Sequence, residues 1–378
     1  MRFGDIDGGR TSLVGQGNDI TILNRESDME NKWYMEISRP LDEVARLAAQ
    51  ARQVRLTKPP GALGRLEDIA VQFAAWQGCE LPEIDRAHVS IFASDHGIAE
   101  EGVSLFPQAV TGEMVRNFAR GGAAISVLAK TLGLGLEVIN LGTVCEVEPM
   151  PGVRDERIAE GTANFAKHTA MNGEQMEKAM HSGRMAALRA KQNDVALFIG
   201  GEMGIANTTS ASAIACALLG EKPDSLAGPG TGLDAQGVKH KAKVIEMALA
   251  LHHASSDDPF HILRCVGGFE IAGLTGAYIA SAQCGIPVLI DGFISSVAAL
   301  LAVRINPSVR GWMLFAHASA EPGHRLVLSE LDARPLLDLG MRLGEGSGAA
   351  VAVPILKLAC DLHGKMATFS EAGVSEQN

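Results

Sequence analysis

The chain has 378 residues, 47% of them hydrophobic and only 4% aromatic, with a formal net charge of −11. That length supports a large core with room for a second, smaller domain. The negative charge disfavours nonspecific attachment to nucleic acid or anionic membrane and leaves small molecules as the expected partners.

Residues 1–30 are polar, rich in Gly, Asp and Asn, and lack both helical period and the apolar core of a secretory signal. They are expected to form a disordered extension. Helical patterns follow at 41–53 and 62–76, and a third comes near the other end at 349–362. Between them, short β-branched runs alternate with longer helical patterns. The expected strands are His88 to Ala93, Leu136 to Leu141, Val195 to Ile199, Val288 to Ile290 and Trp312 to Phe315. This order predicts an α/β fold with a parallel Rossmann-like sheet flanked by helices. The helical segments 36–80 and 349–372 are expected to form a small domain from both chain ends, with 81–348 as the large α/β domain.

From Ile271 to Ile290 the chain carries no charge, a length compatible with a membrane span. Thr275, Ser281, Gln283 and the Gly285-Ile286-Pro287 break argue instead for a helix followed by the buried strand Val288 to Ile290. No membrane span is expected. The six cysteines, at 79, 145, 216, 265, 284 and 360, show no paired short spacing. They suggest neither a zinc cluster nor a disulfide framework and fit a reduced cytoplasm.

In a parallel sheet the turns after the strands gather at one edge, where open α/β folds bind ligands. That edge is expected to collect Asp95-His96-Gly97, Gly142-Thr143, Gly200 to Gly204, Asp291-Gly292 and His317-Ala318-Ser319. The glycine-rich turn leading into a helix at Ser210 to Leu219 offers amides and Thr hydroxyls to a phosphate. An ordinary turn capped by Asn207 or Thr208 fits the same letters. Gly228-Pro229-Gly230-Thr231-Gly232 with Lys241 downstream is a second phosphate candidate, although Lys241 reads equally as a solvated helix charge. Leu233 occupies the last glycine position of the dinucleotide fingerprint, and no Walker sequence occurs, so NAD and ATP are not expected. The usual acidic cradle for phosphoribosyl pyrophosphate and magnesium is missing as well. No histidine pair has zinc-hydrolase spacing, so no metal or other cofactor is expected; His96, after a buried strand, is the one histidine retained as a site candidate.

The segment Leu339 to Ala350 places one carboxylate, Glu345, in a glycine-rich turn between two helical patterns. Glycines permit backbone approach, and a carboxylate there can take a proton from a bound substrate. A solvated loop charge is the plainer reading of the same residues.

Taken in order, Lys58-Pro59-Pro60-Gly61-Ala62-Leu63-Gly64-Arg65-Leu66-Glu67, Ser94-Asp95-His96-Gly97, Gly201-Glu202-Met203-Gly204-Ile205-Ala206-Asn207-Thr208-Thr209, Val266-Gly267-Gly268-Phe269-Glu270, Leu289-Ile290-Asp291-Gly292-Phe293 and Arg342 to Ala349 resemble the nicotinate-nucleotide:dimethylbenzimidazole phosphoribosyltransferase family. The resemblance covers residues 36–372. It implies transfer of phosphoribose from nicotinate mononucleotide to 5,6-dimethylbenzimidazole in assembly of the cobalamin nucleotide loop. It implies further that Glu345 is the general base and that Glu202 stabilises positive charge on the ribose. Gly204, Gly230, Lys241 and Ser319 would line phosphate and ribose, and Met203 and Leu343 would contact the rings. Phe106 and Met114 stand where better-studied members place polar groups near the base, which implies a more apolar base pocket here. A parallel sheet with a helical small domain and a homodimer is implied too. Two other readings fit the residues: an α/β phosphosugar enzyme, such as an isomerase, using Glu345 on another substrate, and a nucleotide- or base-binding regulator without turnover.

Overall fold

Among the residues described by the computed structural model, 32–254 and 258–375, six strands form one wholly parallel sheet in the order β3-β2-β1-β4-β5-β6. They are β1 Ala87–Ser94, β2 Gly135–Gly142, β3 Val153–Asp155, β4 Leu197–Met203, β5 Val288–Ile290 and β6 Met313–Phe315. The expected α/β class and parallel sheet are therefore present. The 1–30 extension lies outside the described residues.

Two helices precede the sheet, α1 Glu43–Arg55 and α2 Arg65–Gln77. Helices α3 Ala109–Arg120 and α4 Ala124–Leu132 connect β1 to β2, and α5 Gly173–Gln192 connects β3 to β4. The long crossing from β4 to β5 carries α6 Asn207–Leu219, α7 Pro223–Leu226, α8 Ala235–His252, α9 Pro259–Val266 and α10 Phe269–Cys284. Helix α11 Phe293–Ile305 leads to β6, and α12 His324–Glu330 and α13 Ser347–Lys365 follow it.

The uncharged stretch resolves as the sequence predicts. Residues Phe269 to Ala282 of α10 are buried, the helix ends at left-handed Gly285, and Val288–Ile290 enters the sheet with all three residues buried. Each large apolar side chain on α10 contributes about 1.5–3 kcal/mol by leaving water. Helix α5 packs along α10 and is fixed at its start by a reciprocal capping box between Asn172 and Gln175. No described helix is long and apolar enough to cross a membrane.

Two expectations need correction. Gly200-Gly201-Glu202-Met203 is not the turn after β4 but its carboxyl half, paired with β1 from Ser90 to Ala93. The strand continues because Gly201 lacks a side chain: a Cβ there would overlap the Glu345 carbonyl oxygen, which lies directly against the strand. Strand β3 was not expected. It is three residues long and mostly exposed, too short to display alternation.

Helices α1, α2 and α13 pack together. Arg52 Nε donates to the His363 carbonyl at 2.8 Å, Gln53 Nε2 and His363 Nδ1 lie 2.9 Å apart, and Arg65 donates to the Pro335 carbonyl at 2.6 Å. Arg65 thus ties α2 to Arg334 and Pro335, at the start of the segment that leads on to Glu345.

Candidate active site

Strand order reverses between β1 and β4, the place where doubly wound sheets leave a crevice at the carboxyl ends of the strands. A cavity of about 390 Å³ opens there. Glu202, Met203 and Gly204 at the end of β4, Gly292 after β5, His317 and Ser319 after β6, and Phe106, Val110 and Met114 after β1 all line it. Arg342, Leu343, Gly344 and Glu345 close one side.

Glu345 is 6% exposed and holds φ at 64°, a left-handed conformation uncommon outside glycine. Its neighbours hold it there. Asp291, itself 1% exposed, accepts Ala349 N–H at 2.7 Å through Oδ1 and Gly346 N–H at 3.2 Å through Oδ2, pinning the start of α13 and with it the turn. Ile125 N–H, in the first turn of α4, reaches Glu345 Oε2 at 3.4 Å. Burial pushes the Glu345 carboxyl above its ordinary pKa and Asp291 pushes it the same way, while the Ile125 amide opposes them. The site therefore holds a base stronger than a free glutamate, poised nearer to neutral pH than the unperturbed carboxylate the sequence suggests.

Glu202 faces the same space. It is hydrogen-bonded to Asn207 Nδ2, and burial together with Asp291, Glu270 and Glu345 raises its pKa well above the usual carboxylate range. Burial is thus the largest cause of the upward shift in both acids, and Glu202 is shifted the further.

The other end of the cavity has an ammonium behind it. Lys241 is 1% exposed, so it is not the solvated helix charge its sequence context allows. Its Nζ donates to Thr208 Oγ1 at 3.2 Å and to the Gly228 carbonyl at 3.0 Å. Burial lowers its pKa to about 8, against an opposing pull from Glu321. Ser319 is oriented by His324, whose Nδ1 accepts the Ser319 N–H at 2.8 Å and whose Nε2 meets Ser296 Oγ at 2.9 Å. Burial and then His317 hold His324 down at about 3, which keeps it neutral and able to accept. Helix α6 begins after Ala206 in a left-handed conformation, with no side-chain cap from Asn207 or Thr208. That leaves its first turn to the backbone alone.

Of the site residues expected from sequence, all but Lys241 and His96 line this cavity: Glu345, Glu202, Gly204, Gly230, Ser319, Phe106, Met114, Met203 and Leu343. Lys241 stands behind Thr208 and Gly230. His96 does not belong to the lining. It is fully buried, with Nδ1 2.9 Å from Ser210 Oγ and Nε2 2.7 Å from Glu270 Oε1, a core hydrogen-bonded histidine. Asp95 is likewise structural, accepting from Thr111 Oγ1 and Val144 N–H. Glu321, Arg342 and Asn207 line the cavity without having been selected from sequence as site residues. Only the Gly-rich runs beside Arg342 and Asn207 hinted at the last two; nothing local marks Glu321.

A second hollow at the amino ends of the strands has a different character. Glu137 there accepts from Arg154 at 2.7 Å, from Arg189 at 3.1 Å and from Ser90 at 2.8 Å. It is an ion-pair network that ties β1, β2, β3 and α5 together.

A phosphoribosyltransferase family model matches residues 38–374. A protein of Pseudomonas aeruginosa (strain LESB58) named nicotinate-nucleotide–dimethylbenzimidazole phosphoribosyltransferase is 60% identical over 349 residues, covering 92% of this chain and 99% of its own. A protein of the same name from Pseudomonas putida (strain W619) is 58% identical over the same span. Among solved structures, CobT from Thermus thermophilus superposes with a TM-score of 0.85 at 43% identity, covering 88% of this chain and all of that one. With a shared fold and sequence agreement across nearly the whole length, the chain belongs to the nicotinate-nucleotide–dimethylbenzimidazole phosphoribosyltransferase family.

Proposed function

We propose that the protein transfers phosphoribose from nicotinate mononucleotide to 5,6-dimethylbenzimidazole, forming α-ribazole 5′-phosphate and nicotinate for the cobalamin nucleotide loop. The observation that carries this reading is one cavity with a raised-pKa carboxylate, Glu345, among apolar walls and the Lys241 ammonium behind Thr208 and Gly230 at its other end. Its volume lies within the range of small-ligand sites.

The chemistry balances without a cofactor. The C1′–N bond to nicotinate breaks with its electron pair moving onto the cationic pyridinium nitrogen, which becomes neutral. One benzimidazole nitrogen bonds to C1′ from the opposite face, inverting β to α, and the other gives its proton to Glu345. Gly204, Gly230, Lys241 and Ser319 hold the phosphate and ribose. Glu202, beside Asn207, faces the positive charge that develops on the ribose ring. Phe106, Met114, Met203 and Leu343 sandwich the flat base and, with the phosphate anchored, orient it for attack.

Phe106 and Leu343 are 50% and 58% exposed, apolar surface at a cavity mouth that a partner subunit would cover. We assign the working form as a homodimer on that ground, the helices of 36–80 and 349–372 as its small domain, and the cytoplasm, where six unpaired cysteines stay reduced, as its place.

The test is chromatographic: purified protein with both substrates, beside Glu345→Gln and a reaction lacking the base. Base-dependent release of nicotinate with a new ribosylated benzimidazole, lowered about 10²–10⁴-fold in the variant, is expected. Folded wild-type protein that forms no such product with this base or a panel of related ones would remove the proposal in favour of a binding protein or another phosphosugar enzyme.

A further inference from the structure

Two side chains grip Gly230 from opposite sides. Glu321 Oε1 accepts its N–H at 3.1 Å, and Arg342 Nη1 donates to its carbonyl at 2.9 Å. Both line the cavity, and Glu321 is 6% exposed. Gly230 belongs to the Lys241 end: a Cβ on it would lie 2.7 Å from Thr208 Oγ1 and 3.1 Å from Lys241 Nζ. Arg342 belongs to the other end, three residues before Glu345 and next to Leu343. The connection is doubled by Ala320 N–H, between Ser319 and Glu321, which donates to the Met341 carbonyl at 3.0 Å.

The Glu345 backbone is strained at positive φ, so its placement depends on the anchors on either side. Asp291 anchors the turn downstream through Gly346 and Ala349. Upstream, the side-chain anchor is Arg342 on Gly230, a residue that a bound phosphate would immobilise. Leu343, on the base side of the cavity, lies between these anchors.

We propose that Glu321 and Arg342 are positioning residues that couple the two substrate sites. A phosphate seated at Lys241 and Gly230 fixes Gly230, Gly230 fixes Arg342, and Arg342 fixes the Leu343–Glu345 segment that receives the aromatic base. The base therefore binds more tightly once the phosphoribose site is filled, and by reciprocity phosphoribose binds more tightly to the base-loaded protein. Neither residue touches the reacting atoms. The inference rests on the phosphoribosyl-transfer reading, which supplies the two ligands.

Calorimetric titration of dimethylbenzimidazole into the full chain, with and without saturating ribose 5-phosphate as a non-reacting ligand, tests it. The wild type is expected to bind the base at least about 5-fold more tightly with the sugar phosphate present, the lower end of ordinary allosteric coupling. Arg342→Ala and Glu321→Ala should bind each ligand singly and lose the enhancement, with Glu321→Gln, which keeps an acceptor for Gly230 N–H, retaining it. Thermal unfolding of each variant establishes that it is folded, and a merely structural role would lower both affinities without removing their dependence on one another. Wild-type binding of both ligands with no enhancement, or full enhancement in Arg342→Ala, overturns the coupling and leaves the transfer reading standing. If the folded wild type binds neither ligand, the transfer reading and the coupling fall together.

Discussion

Replacing Asp291 by Asn separates two things that one carboxylate does. Its two oxygens receive the N–H groups of Ala349 at 2.7 Å and Gly346 at 3.2 Å, and such bonds favour the ionised form even though burial pushes its pKa up. Asn has one acceptor oxygen, so one of the two N–H groups must face an NH₂. A buried polar group left unmatched costs about 1–3 kcal/mol. The thermal midpoint should fall by a few degrees while the fold is kept. The second effect is electrostatic. Asp291 is one of the causes that raise Glu345, so its neutralisation lowers the pKa of the base. A general base works deprotonated, and activity is lost as pH falls through its pKa. The acid limb of kcat/KM in the variant should therefore move to lower pH than in the wild type, with the plateau reduced by the loosened turn. A limb at unchanged pH in a folded, active Asp291→Asn variant would mean that Asp291 acts on Glu345 by geometry alone and that the electrostatic account is wrong.

Gly344→Ala should abolish turnover with little loss of secondary structure, because a Cβ at φ 89° would overlap Glu202 Oε1 inside the cavity; unaltered kcat would refute the close approach. Lys241, with a pKa near 8 in the empty site, should hold the phosphate less well as pH rises past that value, so KM for the mononucleotide should climb on the alkaline side in the wild type. Lys241→Met should have a high KM that no longer follows this titration, and a wild-type KM flat across that range would count against the lysine. The Glu137 carboxyl is held far below the ordinary range by His88, Arg189 and Arg154, despite burial. A depressed folded-state pKa contributes stability above the unfolded value of about 4.3 and loses it as pH falls towards the folded value. Glu137→Gln should cost about 1.5–3 kcal/mol at neutral pH and less in acid. Equal destabilisation by this substitution at pH 7 and pH 3 in urea melts would refute that linkage.

How much of this is legible in the letters depends on whether the cause is local. Strands β1, β2, β5 and β6 are, because short apolar runs between breakers record their own burial. The carboxyl half of β4 is not. Gly200 and Gly201 look like a turn when read along the chain, and their reasons lie far away in sequence: Leu274 and Tyr278 of α10 crowd Gly200, and the Glu345 carbonyl rests on Gly201. The same holds for His96, whose partners Ser210 and Glu270 come from two other elements. Glu345 is legible because its glycines are local and its motif is familiar. Glu321 is not, because its role depends on Gly230, which reaches it only through the fold.

Charge distribution ties these observations to the chemistry. Glu202, Glu270, Asp291 and Glu345 form a buried, mutually repelling set; Glu202 in particular is raised by all three others. Histidines stand beside two of them, His96 2.7 Å from Glu270 and His317 3.7 Å from Asp291, and accumulating the other two carboxylates in the same interior is unfavourable in the empty protein. It becomes useful when the occupant brings positive charge. A pyridinium donor and a ribose passing through an oxocarbenium-like state would supply that charge beside Glu202 and Glu345, the two of these acids that line the cavity, with the phosphate held towards Lys241. Repulsion relieved as positive charge develops is differential stabilisation of the transition state, the form of binding that raises kcat. Neutral Gln at 202 should accordingly lower kcat more than it raises KM for the mononucleotide, and a variant that changed KM alone would place Glu202 in ground-state binding instead.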